Sequence, residues 1–284
     1  MSTPRLRPMQ APDLEPAVAA ILADGWGDRR AWFAFALDML ACHVFVAEDS
    51  SGDIVGTGVV TTNGPAAWIG TIWVERSHRR RGLGRALTQA TIDVAEAAGC
   101  RTLILVATDR GRPLYEGLGF EVRTWYRTME APGLAGDTGR QDPPDARIRR
   151  FRRDDLAIMS ELDRSATGED RSQLLAALAT PDGTRILAGD TDAPRGFVIR
   201  APWGGGATIA TTPDDAIAIL RARRLDYPAD RRIRCGILLE NEPGAAMLEA
   251  DGWSEAWRAP RLARGAPLDW HPERIWGQFN HALG

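Results

Sequence analysis

The sequence predicts an α/β (α+β) fold made of two domains, and three observations support this. The chain has 284 residues, which is too long for one small hydrophobic core. Its first half alternates strand-like and helix-like segments. A residue pattern at both edges of that half recurs later in the chain. We therefore predict domains at residues 1–130 and 147–284, joined by a linker at residues 131–146.

The elements of the first domain follow from hydrophobic periodicity and turn residues. Residues 82–98 have apolar side chains at helical spacing, whereas residues 103–107 form a continuous apolar run, typical of a strand buried on both faces. Ser51 and Gly52 mark a turn between two strands. In chain order, the pattern predicts strands at residues 5–8, 43–48, 54–61, 67–75, 103–107 and 120–129 and helices at residues 12–23, 29–40, 82–98 and 112–118.

The second half repeats the edges of the first. Residues 5–14 align without gaps on residues 147–156, and residues 114–120 align on residues 247–253. Two markers, one at each edge of a domain, predict a duplicated unit. The segment 263–284 has no counterpart in the first half, and we predict that it is an appended tail with a short helix.

The composition excludes several classes of function. A net charge of −3 argues against nucleic-acid binding by bulk electrostatics. All 35 basic residues are arginine, so a Walker phosphate loop and Schiff-base catalysis, which both need a lysine, are excluded. The cysteines and histidines show no disulfide or metal-ligand spacing, and no apolar stretch is long enough to span a bilayer. We expect a cytoplasmic protein with no metal, nucleic-acid or membrane partner.

The most informative segment is a basic, glycine-containing loop between a predicted strand and a predicted helix. The N-terminus of a helix presents unpaired amides and a partial positive charge, and glycines let an anion approach those amides closely. Arginines add charge-assisted hydrogen bonds. The loop has the sequence Arg79-Arg80-Arg81-Gly82-Leu83-Gly84, followed by Arg85.

Three other kinds of loop resemble this segment. A dinucleotide-binding loop of the Rossmann type needs a third glycine, but position 87 is Leu. A Walker loop lacks its lysine. An arginine-rich, solvated turn before a surface helix would need no ligand at all. The pattern Arg-x-x-Gly-x-Gly between a strand and a helix favours a pyrophosphate site over that turn.

At these residues the chain resembles the GNAT superfamily of N-acetyltransferases, whose signature is (Gln/Arg)-x-x-Gly-x-(Gly/Ala). A second marker, Leu114-Tyr115-Glu116-Gly117-Leu118-Gly119-Phe120, is similar to the family's Tyr-Glu-x-x-Gly-Phe ending. The resemblance covers residues 5–130, and the second half resembles the degenerate second repeat of tandem GNAT proteins. It implies two GNAT-like domains, each with a mixed, mostly antiparallel central sheet flanked by helices.

The resemblance also implies acetyl-CoA as cosubstrate. In the family, loop amides hold the CoA pyrophosphate, and the preceding strand splays from its neighbour and pairs with pantetheine through backbone groups. Asp109 stands where many relatives carry an asparagine that contacts pantetheine, although it could instead cap the next helix. The implied CoA-binding residues are Ile72, Trp73, Val74, Arg79, Arg80, Arg81, Gly82, Leu83, Gly84, Arg85 and Asp109.

Tyr115 is the predicted general acid, because the family's tyrosine lies near the sulfur and protonates the departing thiolate. An ordinary tyrosine is protonated at neutral pH and can do this. The alternative is a tyrosine packed by its ring. Glu75 is the candidate base, because the strand before the loop carries no carboxylate and Glu75 follows it directly. Each candidate could equally be a solvated surface group or, for His43, a packed strand residue. The other candidates are His78, Asp28, Asp38 and His43.

The acceptor cleft of the family is bordered by its first two helices, a region rich here in aromatic residues. Such residues are either core or cleft walls, and as walls they favour a flat or apolar acceptor with a cationic amine. The candidate acceptor-binding residues are Trp26, Asp28, Trp32, Phe33 and Trp68.

The second half lacks the chemistry of the first. Thr211-Thr212-Pro213-Asp214-Asp215 opens its corresponding helix, and Leu248 occupies the tyrosine position. We therefore predict one acetyl-CoA per chain and N-acetylation of a small-molecule primary amine by a monomer or homodimer. The alternatives are a different acyl-CoA, a hydroxyl acceptor, or a CoA-binding sensor without turnover.

Overall fold

The structure, a computed structural model, describes residues 3–135 and 145–284. The chain forms two compact units. The first unit contains the residues up to Glu121 together with Leu262–Ala266 and His281–Gly284; the second contains Val122–Arg261 and Pro267–Asn280. These bounds differ from the predicted domains 1–130 and 147–284, because one strand after Glu121 belongs to the second unit and two short C-terminal segments belong to the first.

The first unit is a strand-rich layer covered by helices. Its strands run β1-β2-β3-β4-β5 across the sheet; β1 to β4 pair antiparallel, and β5 pairs parallel to β4. All predicted elements of this unit are present, with bounds that shift by no more than two residues. They are β1 (Arg5–Pro8), α1 (Leu14–Ala23), α2 (Arg30–Asp38), β2 (Cys42–Glu48), β3 (Ile54–Asn63), β4 (Ala66–Val74), α3 (Leu83–Ala97), β5 (Thr102–Val106) and α4 (Arg112–Glu116).

Helix α3 buries its apolar face against the sheet. Leu83 and Leu87 pack with Ala47 and Val55 in one hydrophobic cluster. Gly58 of β3 faces the same helix, because a Cβ there would lie 3.5 Å from the Thr91 Cγ2. This packing fixes the N-terminus of α3 at the end of β4.

Strand β4 is irregular where it leaves β5. The parallel β4–β5 ladder has three pairs and ends at Trp68↔Ile104, although β4 continues to Val74. A register shift opposite β3 coincides with a left-handed Thr71 at φ 52°. A β-bulge of this kind bends a strand and increases its local twist, so the two strands separate beyond Trp68.

Two C-terminal segments complete the first unit. The Thr61 hydroxyl donates to the Ala282 carbonyl at 2.7 Å, and the Asn63 amide donates to the Leu283 carbonyl at 2.9 Å. Gly70 permits this approach, because a Cβ there would lie 2.5 Å from the Ala282 Cβ. The other segment bonds beside β5, where the Thr102 hydroxyl donates to the Ala266 carbonyl. The predicted tail is thus partly an integral element of the first unit.

The second unit has a sheet with the strand order β13-β10-β9-β8-β7, together with an antiparallel pair formed by β6 and β11. Helix α7 packs on β8 and β9, and the core includes Leu187, Val198, Ile219 and Trp276. Its elements are β6 (Glu121–Pro132), β7 (Ile148–Arg150), α5 (Leu156–Thr167), α6 (Ser172–Leu178), β8 (Thr184–Ala188), β9 (Pro194–Ile199), β10 (Thr208–Ala210), α7 (Pro213–Leu225), β11 (Arg232–Leu238), α8 (Glu242–Ala250), β13 (Ile275–Gly277) and the part of β12 (Ser254–Gly265) that ends at Arg261.

The two units begin with the same hydrogen-bonded corner. In the first, Arg7 makes two hydrogen bonds to the Asp13 carboxylate, which also accepts from the Gln10 amide. In the second, Arg149 does the same with Asp155, whose carboxylate accepts from the Arg152 amide. Each corner turns the chain from a first strand into a first helix. The repeated geometry supports the predicted duplication.

The predicted linker 131–146 is partly ordered structure. Ala131 and Pro132 pair with Ile233 and Arg232 of β11, and Ala135 forms a bridge with Pro228. The early residues of the linker are strand because they bury alternate side chains against the second unit. Residues 136–144 of the predicted linker lie outside the described residues. In the part that the structure describes, no helix is both long and apolar enough to cross a bilayer.

Candidate active site

The basic loop leads into α3 through two left-handed residues. Arg80 has φ 61° and Gly82, the N-cap residue, has φ 84°. The first backbone bond of the helix runs from the Ala86 amide to the Gly82 carbonyl at 3.0 Å, so the four preceding amides have no partner one turn earlier. No acidic residue lies in the first turn. These amides and the exposed Arg80, Arg81 and Arg85 form a positive surface that suits an anion.

Arg79, the first residue of the motif, points back into the protein. Its Nε donates to the Val74 carbonyl at 2.8 Å, and its Nη2 pairs with Asp24. Asp24 also accepts from the Trp73 indole at 3.0 Å and from Arg76 at 2.5 Å. Asp24 was not among the predicted site residues, because an acidic residue at the end of a helix belongs to no sequence motif.

Glu75 caps the turn that follows β4. Its carboxylate accepts from the Ser77 amide at 2.7 Å, from the Ser77 hydroxyl and from His78 Nδ1 at 3.1 Å. The hydrogen bonds from Ser77, followed by those from His78, lower the pKa of Glu75 to about 2. A carboxylate of that pKa is a weak base, so the geometry favours a structural role for Glu75 over the predicted catalytic one.

Tyr115 lies on α4 and is partly buried. Its ring packs edge-on against Phe120, with 6.3 Å between the centroids. Burial raises the pKa of the Tyr115 phenol to about 12. The phenol therefore remains protonated throughout the neutral and mildly alkaline range, as a proton donor requires.

Two contacts bring the tyrosine motif to the loop. The Leu114 Cδ2 lies 3.5 Å from the position that a Cβ would take at Gly84, in the first turn of α3. The Arg85 guanidinium donates to the Gly117 carbonyl at 3.3 Å. The two sequence motifs, about thirty residues apart along the chain, are thereby neighbours in the first unit.

The edge of β4 beyond Trp68 is the predicted pantetheine strand. Ile72 and Val74 are partly exposed there, whereas the Trp73 side chain is buried and bonded to Asp24. Among the described residues, the β4–β5 ladder ends before these positions. Their backbone groups on that side can therefore pair with an extended ligand.

Most of the predicted acceptor-binding aromatics are core residues. The exposed fractions of Trp32, Phe33 and Trp68 are 3%, 0% and 2%. The Trp32 indole donates to the Thr71 hydroxyl at 3.1 Å, next to the bulge in β4. Aromatic residues on the inner face of a short helix bury large apolar areas, which explains their position. Trp26, at 38%, is exposed and remains a candidate for acceptor binding.

Two further predicted residues lie shortly before helices. Asp28 precedes α2 and accepts from the Arg30 amide at 2.8 Å. Asp109 is exposed, and the Gly111 amide donates instead to the Thr108 hydroxyl at 3.2 Å. No group of His, Cys, Asp or Glu side chains among the described residues is arranged to bind a metal ion.

In the second unit, buried side chains occupy the positions that correspond to the start of α3 and to Tyr115. Asp215 is 2% exposed at the start of α7, where it accepts from Arg147, Arg195 and Thr211. Leu248, at the tyrosine position, is fully buried in the core. The first unit has open amides at the start of the corresponding helix. In the second unit, the buried negative charge of Asp215 would repel a phosphate at that position.

Comparisons with known proteins agree with this geometry. Residues 10–120 match the model of the acetyltransferase (GNAT) family. The chain is 28% identical over 218 residues to the uncharacterized N-acetyltransferase YitH of Bacillus subtilis, covering 70% of this chain and 76% of that protein.

Solved structures share the fold over nearly the whole chain. A protein from Pyrococcus horikoshii assigned as an acetyltransferase has a TM-score of 0.81 at 20% identity, covering 100% of this chain and 97% of its own. A tandem GNAT protein from the clavulanic acid biosynthesis pathway has a TM-score of 0.59 at 17% identity, with 94% and 100% covered. Residues 10–120 therefore match the acetyltransferase (GNAT) family, which indicates an acyltransferase, and the whole chain shares its fold with a tandem GNAT protein.

Proposed function

We propose that the chain is an acetyl-CoA-dependent N-acetyltransferase acting on a small-molecule primary amine, with Tyr115 as general acid. The observation that carries this proposal is the pair of contacts that join the tyrosine motif to the first turn of α3. They support a site in which the helix that carries Tyr115 is next to a helix N-terminus with open amides and exposed arginines.

The residues present fit coenzyme A. No atom lies within 4 Å of the position of a Cβ at Gly82, so the loop is open toward its ligand. The amides of the first turn of α3, with Arg80, Arg81 and Arg85, would hold the pyrophosphate. The backbone of Ile72 and Val74 would pair with pantetheine.

Acetyl-CoA supplies an acetyl group activated as a thioester. Attack by an amine expels a thiolate, to which Tyr115 would donate its proton. Because the pKa of Glu75 is about 2, this residue is poorly suited to deprotonate the acceptor. We propose that the amine loses its proton to solvent before it attacks.

Calorimetric titration with acetyl-CoA tests the proposal first. We expect one site per chain, since Asp215 occupies the corresponding position of the second unit. An amine screen that detects free thiol would then identify acceptors. No binding would overturn the proposal. Two equal sites would overturn the degenerate role of the second unit.

The same screen separates the alternatives. Faster turnover with longer acyl-CoAs than with acetyl-CoA would identify a longer acyl-CoA as the donor. Transfer to alcohols would identify a hydroxyl group as the acceptor. Binding without transfer or hydrolysis would indicate a CoA sensor.

Localisation and oligomeric state are separate questions. The free thiols of Cys42, Cys100 and Cys235 are buried, which suits a cytoplasmic protein. Gel filtration would distinguish a monomer from a homodimer.

A further inference from the structure

Asp24 joins three parts of the first unit that surround the loop. It lies at the C-terminal end of α1, and its side chain is 8% exposed. Its carboxylate accepts from Trp73 on β4 and from Arg76 and Arg79, one on each side of the turn that Glu75 caps. A single carboxylate thus connects a helix, the splayed strand and the basic loop.

We propose that Asp24 is a positioning residue for the donor site: it holds Arg79 inward so that the following residues of the loop present their amides to the pyrophosphate. The proposal rests on the proposed function, since it needs a CoA phosphate as ligand. It assigns the arginine of the Arg-x-x-Gly-x-Gly motif to loop structure instead of phosphate contact.

The hydrogen bonds of Arg79 support this assignment. Both the Val74 carbonyl and the Asp24 carboxylate engage its guanidinium, and a guanidinium committed to two protein acceptors would have to give them up to reach a ligand. Arg79 immediately precedes the left-handed Arg80, so fixing its side chain also fixes where the turn toward Gly82 begins. A loop held in its binding conformation loses less entropy when a ligand binds.

Burial raises the pKa of Asp24, but the hydrogen bonds from Trp73 and Arg76 and the charge of Arg79 outweigh that effect and lower it overall. The carboxylate is therefore charged at neutral pH. Its negative charge, taken alone, would repel a phosphate. Electrostatics and loop positioning consequently predict opposite effects of its removal, which makes the proposal testable.

The experiment compares Asp24→Asn, Arg79→Gln and the double variant by calorimetry with CoA, using the full chain. If Asp24 positions the loop through Arg79, each single variant weakens CoA binding by about tenfold, and the double variant is no weaker than either single one, as for residues that act as one unit. If Arg79 is instead a phosphate ligand, Asp24→Asn frees it and removes a negative charge. CoA binding would then tighten or stay unchanged, and the proposal would be overturned.

A truncated donor separates positioning from general damage. S-acetylpantetheine lacks the pyrophosphate, so Asp24→Asn should lower kcat/KM much less for this donor than for acetyl-CoA, for which KM rises. Equal losses with both donors would mean that the carboxylate only supports the fold, and would overturn the proposal. If the parent itself does not bind CoA, the proposed function fails too, and that outcome is distinct.

Asp13→Asn is the matched control. Asp13 is another carboxylate of the first unit, 13% exposed, and it also accepts two hydrogen bonds from one arginine, Arg7. Thermal melts should show lower stability for both aspartate variants. Only Asp24→Asn should alter CoA affinity; an equal change in Asp13→Asn would sink the proposal.

Discussion

Tyr115 offers the most direct test of chemistry at the scale of one residue. Replacing it with phenylalanine removes the proposed proton donor but keeps the ring that packs on Phe120. We expect kcat to fall by about a hundredfold or more, while acetyl-CoA affinity stays constant. Turnover by thiol release and calorimetry would measure the two. Unchanged turnover would refute the role of Tyr115.

The pH dependence of turnover follows from the pKa of the same residue. A phenol with a pKa of about 12 is still protonated at pH values where an ordinary tyrosine has ionised. No protein base is assigned, so kcat/KM should rise with pH until the acceptor amine is deprotonated. Because the phenol stays protonated, kcat should not fall at pH values below about 10. A pH–rate profile with an identified amine would show this. A fall beginning near pH 9 would contradict the proton-donor assignment.

Trp26 tests the acceptor side. As an exposed aromatic at the junction of α1 and α2, it should contact an apolar or cationic acceptor. Trp26→Ala should raise KM for the acceptor by about threefold to tenfold without changing KM for acetyl-CoA. Trp257→Ala is the matched control, since Trp257 of the second unit is 40% exposed. Equal behaviour of the two variants would remove Trp26 from the site.

Sequence patterns predicted the residues of this site unevenly. The glycine motif located Gly82, because a left-handed N-cap leaves a recognisable residue type. It could not show that Arg79 turns inward, because that depends on Asp24, 55 residues away in the chain. Likewise, the sequence pattern does not distinguish whether Trp32 and Phe33 line a cleft or belong to the core. Their burial in the structure shows that they belong to the core.

At the scale of one element, the loop before α3 depends on its left-handed residue. Gly82→Ala meets no neighbouring atom, but φ 84° is unfavourable for alanine by about 1–2 kcal/mol. The strain should either distort the loop or lower stability, and we expect weaker acetyl-CoA binding. Calorimetry and thermal melts together would measure both effects.

Gly52→Ala provides the control for that strain. Gly52 has φ 87° and equally open space, but it lies in the turn between β2 and β3. Both variants should lose similar stability, whereas only Gly82→Ala should lose affinity for acetyl-CoA. Loss of affinity in both would show that the effect is not specific to the loop.

The elements of the first unit were predictable because their periodicities are strong. The bulge at Thr71 was not, because a left-handed threonine carries no local signal and is stabilised by long-range contacts with Trp32 and Thr57. The strand character of Ala131 and Pro132 could not be predicted, because it depends on pairing with β11, a hundred residues later in the chain.

At the scale of the whole molecule, the first unit includes residues 281–284. A fragment of residues 1–130 would expose the surface that these residues cover and would lose the hydrogen bonds that the buried Thr61 and Asn63 side chains donate to Ala282 and Leu283. We expect it to lose about 4–8 kcal/mol of stability, from the lost apolar burial and two unmade hydrogen bonds. Thermal or urea unfolding would test this. A fragment as stable as the full chain would contradict it.

These long-range contacts also set an order of events during synthesis. The residues that complete the first unit, joined by a hydrogen bond between Thr61 and Ala282, are separated by 221 positions. At ordinary translation rates the ribosome needs roughly 10–30 s to proceed from Glu121 to Ala282. During that interval β3 and β4 lack the backbone that covers them. Synthesis of the first unit, which carries the basic loop, starts before that of the second unit but is completed after it, and chaperone binding to nascent chains should be greatest in that interval.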